Sequence, residues 1–141
     1  TSIVGNEASI RFGRRQLVSA ALILSILFAG GLAIFGTANY WLAVILLVAY
    51  GMIVWLDSSS LTAGAAGNAE PARRGATLAV HSTLGYAGGF VGPLIVGWTL
   101  DLAGGASPLA WGIAFAVIAL VMLVGLAIFT ALRPRGLEGE R

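Results

Sequence analysis

The chain has 141 residues, of which 58% are hydrophobic and only 10% are charged. An ordinary soluble domain carries about 25% charged residues, so this composition excludes a typical soluble enzyme, a nucleic-acid-binding protein and a disordered segment. All eight basic residues are arginines, the net charge is +2, and the absence of cysteine excludes disulfides and thiolate metal sites.

Long stretches without Asp, Glu, Lys or Arg predict four membrane-spanning helices. A span needs roughly 20 apolar residues. The uncharged stretch 16–56 is long enough for two spans, and the stretches 75–100 and 102–132 are each long enough for one. We therefore expect spans at about 17–36, 41–63, 77–100 and 109–132, joined or flanked by the polar segments 1–16, 64–76 and 133–141.

The positions of the arginines predict the orientation of these spans. Three arginines precede the first span, two lie between the second and third, and three follow the fourth, so all eight lie on one side. By the positive-inside rule that side is the cytoplasm, and both ends of the chain are expected there. Segment 1–16 lacks the pattern of a signal peptide. Because the chain starts at Thr1, we expect it to be cut from a longer protein.

Polar side chains are concentrated in the second and third spans. Ionisable groups inside a bilayer are costly, and they usually face a bundle interior or a water-filled path. We therefore expect these two spans to line a path and spans one and four to support them. Asp57 and His81 are the candidates for ion coupling or an inner gate, and Tyr50, Ser60 and Tyr86 are the candidates for lining the cavity.

The third span also carries a string of small residues. Glycines let helices approach closely in lipid, and a proline removes one helical hydrogen bond. The string predicts either a packing seam alone or a seam with a bend that is used in gating. Its members are Gly85, Gly88, Gly89, Gly92, Pro93 and Gly97.

Two motifs resemble signatures of the major facilitator superfamily of transporters. The segment Arg11-Phe12-Gly13-Arg14-Arg15 resembles the cytoplasmic loop signature D-R-x-G-R-R, with Ile10 at the acidic position. The segment 88–97 resembles the helix signature G-x-x-x-G-P-x-x-G-G, with Val96 replacing one glycine. The order of loop and spans also matches. The resemblance implies an all-α membrane fold in which the four transmembrane helices correspond to helices nine to twelve of twelve.

The same resemblance implies a function. It makes residues 1–141 part of the C-terminal domain of a secondary transporter, which moves a small solute across a bacterial inner membrane by alternating access. Proton-coupled symport or antiport is expected, without a cofactor or a metal. The implied partners are the lipid bilayer, the missing N-terminal remainder of the transporter and a small-molecule substrate, with no nucleic acid. Arg11, Gly13, Arg14 and Arg15 would form a cytoplasmic gating loop.

Two other classes of membrane protein remain as alternatives. A self-contained four-helix transporter that works as an oligomer usually carries an acidic residue deep in its first span, and none is present here. A non-transporting assembly subunit would not need Asp57 and His81 inside the bilayer. An enzyme is not expected, because one histidine, no cysteine and no carboxylate pair within a span cannot build a local metal site or catalytic triad.

Overall fold

The computed structural model describes Glu7, Arg11 and residues 13–132, and all regular structure in that part is helical. The elements are α1 (Arg14–Phe35), α2 (Tyr40–Val54), α3 (Ser58–Gly67), a 3-10 turn (Pro71–Arg73), α4 (Arg74–Leu102) and α5 (Pro108–Ala131). Four segments are long and apolar enough to cross a membrane, which confirms the predicted all-α fold with four transmembrane helices. The predicted tail 133–141 and most of segment 1–12 lie outside the described residues.

Capping residues fix the two turns on the side away from the arginines. The Asn39 side chain accepts hydrogen bonds from two backbone N–H groups of the first turn of α2, at 2.9 and 3.3 Å. The Ser107 side chain caps α5 in the same way at 3.2 Å, with Pro108 at the first helical position, where a missing N–H costs nothing. Between α4 and α5, Gly104 and Gly105 have φ values of 85° and 103°, which glycine adopts without strain.

The interior of the chain lies between α1 and α5, which make the most extensive helix–helix contact. One face of α1 is buried, with Ala21, Ser25 and Ala29 at intervals of four residues. It meets Ala110 and Ala114, which are buried on α5. These small side chains let the two backbones approach closely, as expected where lipid removes the hydrophobic drive between helices.

The second span differs from the single helix expected over 41–63. It covers Tyr40–Gly67 but divides into α2 and α3, with the break at residues 55–57. Neither proline nor glycine lies at the break. The residues that follow are Asp57, Ser58, Ser59 and Ser60, types that favour helix starts because their side chains compete for backbone hydrogen bonds. The sequence therefore begins a new helix here.

The polar connection between the second and third spans is shorter than the segment predicted at 64–76. α3 continues to Gly67, and the 3-10 turn begins at Pro71, so only residues 68–70 lie between helical elements. The Asn68 side chain donates to the Gly64 carbonyl at 3.0 Å, which satisfies a carbonyl at the end of α3. α4 then runs through Pro93 as one helix.

Candidate functional site

His81 and Thr62 connect the third span to the inner half of the second. His81 Nε2 lies 3.3 Å from Thr62 Oγ1, across the contact between α3 and α4. The Thr62 hydroxyl also donates to the Ser58 carbonyl at 3.0 Å. The sequence analysis proposes His81 as a site residue but does not propose Thr62. The signal was available, because Thr62 and His81 lie at similar depths in consecutive antiparallel spans.

Asp57 lies at the break and directly precedes α3. Its backbone carbonyl accepts from the Leu61 N–H at 2.9 Å, the first hydrogen bond of the helix. Its carboxylate makes no capping hydrogen bond to α3. Among the described residues, Asp57 and His81 form no ion pair within 4.0 Å. Asp57 and His81 are therefore two separate polar groups in the described structure, with His81 in contact with Thr62.

The three cavity-lining candidates lie in different environments. Tyr86 is 82% exposed on α4. Tyr50 is half-buried, and its hydroxyl lies 3.8 Å from the Met122 sulfur of α5. Ser60 is fully buried within the chain, and its hydroxyl has no hydrogen-bond partner among the described residues. The side chain of Tyr86 is thus largely exposed on α4, whereas the side chain of Tyr50 contacts α5.

Arg14 and Arg15, which start α1, contact the ends of two other helices. The Arg15 guanidinium donates to the carbonyls of Phe129, Thr130 and Leu132 at 3.2, 3.3 and 3.5 Å, and it lies over the Phe129 ring at 5.4 Å. The last carbonyls of an α-helix are not followed by a further turn of N–H groups and are commonly bound by side chains. A cation there also interacts favourably with the helix dipole.

Arg14 packs across α3 at a glycine. Its Cδ atom lies 3.0 Å from the point that a Cβ atom on Gly64 would occupy, so a larger residue at 64 would displace the arginine. Gly13, which precedes both arginines, has a φ of 88° and needs the freedom of glycine. Arg11 makes an exposed ion pair with Glu7 at 3.2 Å. The cytoplasmic loop signature thus joins the ends of α1, α3 and α5.

The glycine string of α4 is open within this chain. A Cβ atom built on Gly85, Gly88, Gly89, Gly92 or Gly97 would meet no atom within 4 Å. A close approach of two helix backbones lies elsewhere, at Gly112 of α5, where a Cβ atom would lie 2.9 Å from the Ala33 carbonyl oxygen of α1. Sequence reasoning missed Gly112, since it lacks the spacing of a recognised motif.

The sequence model of the Major Facilitator Superfamily matches residues 1–140 of the chain. No curated protein and no solved structure gives a significant match. The family match spans both motifs from the sequence and all four spans, including the helix break and the contacts of Arg14 and Arg15.

Proposed function

Because the chain belongs to the major facilitator superfamily, it is part of a membrane transporter, and we propose that it forms the last four helices of a proton-coupled secondary transporter. In this proposal the transporter moves a small solute by alternating access. The observation that carries it is a difference in burial between the spans. α1 and α5 have buried residues, whereas α2 and α4 have none. The polar and glycine-rich surfaces of these helices then lie against the solute path and the remainder of the transporter.

The solute path runs along the inner half of span two and the exposed side of α4. Tyr86 is the lining residue best supported by its exposure, and it offers both an aromatic face and a hydroxyl. The open glycines of α4 are the surface on which helices from the N-terminal remainder pack closely. Tyr50 and Ser60 have a smaller part in the path, because Tyr50 contacts Met122 and Ser60 is buried.

The cytoplasmic loop acts as both gate and anchor. Arg14 and Arg15 hold the inner ends of α3 and α5, so a movement of the loop moves these ends with it. Arg11, which is exposed and paired only locally with Glu7 in the described part of the chain, is the arginine available to the other half of the transporter. The arginines lie on the cytoplasmic side of a bacterial inner membrane, with both ends of this chain inside.

Asp57 and His81 are the candidates for proton coupling. A carboxylate and an imidazole within a bilayer need a functional reason or a partner, and an imidazole can exchange a proton near neutral pH. The two groups act as separate sites at the inner end of the path, since no ion pair joins them in the described part of the chain.

The test is transport by the full protein in proteoliposomes, measured as proton-driven accumulation and as solute exchange. We expect Asp57→Asn to lose accumulation and to retain exchange, because exchange needs the conformational cycle without net proton movement. His81→Gln is tested alongside. The control is Asp101→Asn, which neutralises an exposed carboxylate at the opposite end of α4. Accumulation equal to the parent in both test variants from pH 6 to pH 8 would remove Asp57 and His81 from proton coupling.

A further inference from the structure

The contact between Thr62 and His81 bears on which ring nitrogen of the histidine carries a proton. A threonine hydroxyl has one hydrogen to donate and can also accept. We place that hydrogen toward the Ser58 carbonyl, which at 3.0 Å is the nearer of the two partners of the Thr62 oxygen. The oxygen is then an acceptor for the group 3.3 Å away, His81 Nε2. With this placement, Nε2 is the donor and carries hydrogen.

The opposite arrangement is less favourable. If Nε2 lacked hydrogen, the Thr62 hydroxyl would have to turn from the Ser58 carbonyl to the ring, and one hydrogen bond would replace two. The arrangement with two hydrogen bonds is favoured because each hydrogen bond within a protein makes a net contribution to stability even where water competes for the same groups. The observed distances, with the shorter one to Ser58, correspond to the arrangement with both bonds.

We propose that Thr62 is a positioning residue that fixes neutral His81 in the Nε2-protonated form, so that Nδ1 is the nitrogen that binds and releases the coupled proton. This inference rests on the proposed proton coupling. Proton uptake places hydrogen on the Nδ1 lone pair and gives an imidazolium that still donates from Nε2 to Thr62. Loss of the same proton restores the starting form, so α3 and α4 stay joined through the whole cycle.

Few charged groups surround this pair on the packed elements. α3 and α5 contain no charged residue. The titratable or charged groups on the adjoining elements are Asp57 before α3, Arg14 and Arg15 at the start of α1, Glu70 and Arg73 at the 3-10 turn, and Arg74, Tyr86 and Asp101 on α4 itself. Arg74 precedes His81 by two helical turns, about 10 Å along the axis. Thr62 is therefore the direct contact that selects the tautomer.

The tautomer can be measured directly by ¹⁵N NMR of the full transporter in lipid vesicles, with labelled histidine. The spectrum of His81→Gln, subtracted from that of the parent, assigns the signals of His81. We expect neutral His81 to show a protonated Nε2 and an unprotonated Nδ1. Thr62→Ser keeps the hydroxyl and the spectrum. Thr62→Val keeps the shape, removes the acceptor and raises the share of the other tautomer.

Thr83→Val is the matched control, because Thr83 lies on α4 near His81 and its hydroxyl bonds only to the Ala79 carbonyl, at 2.8 Å, in the described structure. It should leave the spectrum of His81 unchanged. A parent protein with Nδ1 protonated, or a Thr62→Val protein with an unchanged tautomer ratio, would overturn the assignment.

Proton-driven accumulation separates this inference from the proposed function. Reduced accumulation in His81→Gln and Thr62→Val, with Thr62→Ser and Thr83→Val normal, is the expected result. If His81→Gln accumulates solute like the parent, the coupling role of His81 is wrong, whatever its tautomer. If His81→Gln is defective and Thr62→Val is normal, coupling through His81 stands and the role of Thr62 is overturned.

Discussion

The first and fourth spans of this chain, α1 and α5, pack differently from the second and third spans. α1 and α5 share a buried seam of small residues, and Gly112 brings the two backbones close together. The second and third spans are also long enough to cross a membrane, but they are less apolar than the first and fourth, and no residue of α2 or α4 is buried. Glycine therefore has two roles, since Gly112 is already in a close contact while the string of α4 is open.

The difference shows that glycine content does not reveal where a membrane helix packs. α4 has the larger number of glycines and the recognised motif, but the tight contact within the chain lies at a single glycine of α5. In lipid, helix association depends on close approach of backbones. In the described part of the chain the glycine-rich surface of α4 is open, and we propose that it packs against the remainder of the transporter.

The largest effect is expected when the contact between α1 and α5 is overfilled. Gly112→Leu places a side chain where even a Cβ atom would lie 2.9 Å from a backbone oxygen, and backbone cannot move aside as a flexible side chain can. We expect the free energy of unfolding to fall by about 3 kcal/mol, the upper end of the usual cost of overpacking. Thermal unfolding of the purified transporter measures this loss.

Gly125→Leu is the control in the same helix, because a Cβ atom at Gly125 meets nothing within 4 Å. It should leave the melting temperature nearly unchanged. Equal melting temperatures for both variants would mean that α1 and α5 can separate at little cost in free energy. The proposed difference in packing between these two helices and α2 and α4 would then be wrong.

The sequence predicted the number of membrane spans for a clear physical reason. Charges are so costly in a bilayer that uninterrupted apolar stretches mark the spans, and four such segments are confirmed. The break before α3 was not predicted, since it lies at Trp55 and Leu56 without proline or glycine. A run such as Asp57 to Ser60 favours a helix start, but it also occurs within continuous helices, so composition alone cannot decide between them.

Side-chain partners were harder to predict than spans, because they depend on how each helix is rotated about its axis. The sequence predicts that Tyr50 and Ser60 line a cavity from one continuous span, but the break places them on separate helices, and Ser60 is buried. His81 was recognised as a polar group inside the bilayer. Its bond to Thr62 depends on the packing of α3 against α4, which no local pattern encodes.

The second-largest effect is expected from substitutions that test whether the open glycines of α4 pack against the rest of the transporter. Gly89→Leu and Gly92→Leu should abolish transport and lower the free energy of unfolding by about 1–3 kcal/mol, because each inserts a large side chain between approaching helices. The matched control is Gly75→Leu, in the first turn of α4, where the space is also open. Normal transport and melting temperature in both test variants would mean that this surface faces lipid.

The smallest effect is expected from substitutions in the arginine loop, which separate its anchoring role from its gating role. Arg15 binds three carbonyls at the end of α5, and hydrogen bonds to a charged group contribute about 1.5–3 kcal/mol when well shielded. Arg15 is only partly buried, so Arg15→Ala should cost about 1 kcal/mol of unfolding free energy. Arg15→Lys should recover part of this, because an ammonium keeps the charge near the helix end but lacks the planar fork of guanidinium.

Arg11→Ala is the comparison that completes this test, because Arg11 makes an exposed ion pair, and such pairs contribute little to stability. It should leave the melting temperature unchanged. Labelling of both membrane faces then reports the gate, and in the full transporter both alanine variants should shift the population toward the inward-open state with insertion intact. A stability loss in Arg15→Ala without a shift in either variant would leave anchoring as the only role, since the bonds to α5 would then hold the helix without controlling the gate.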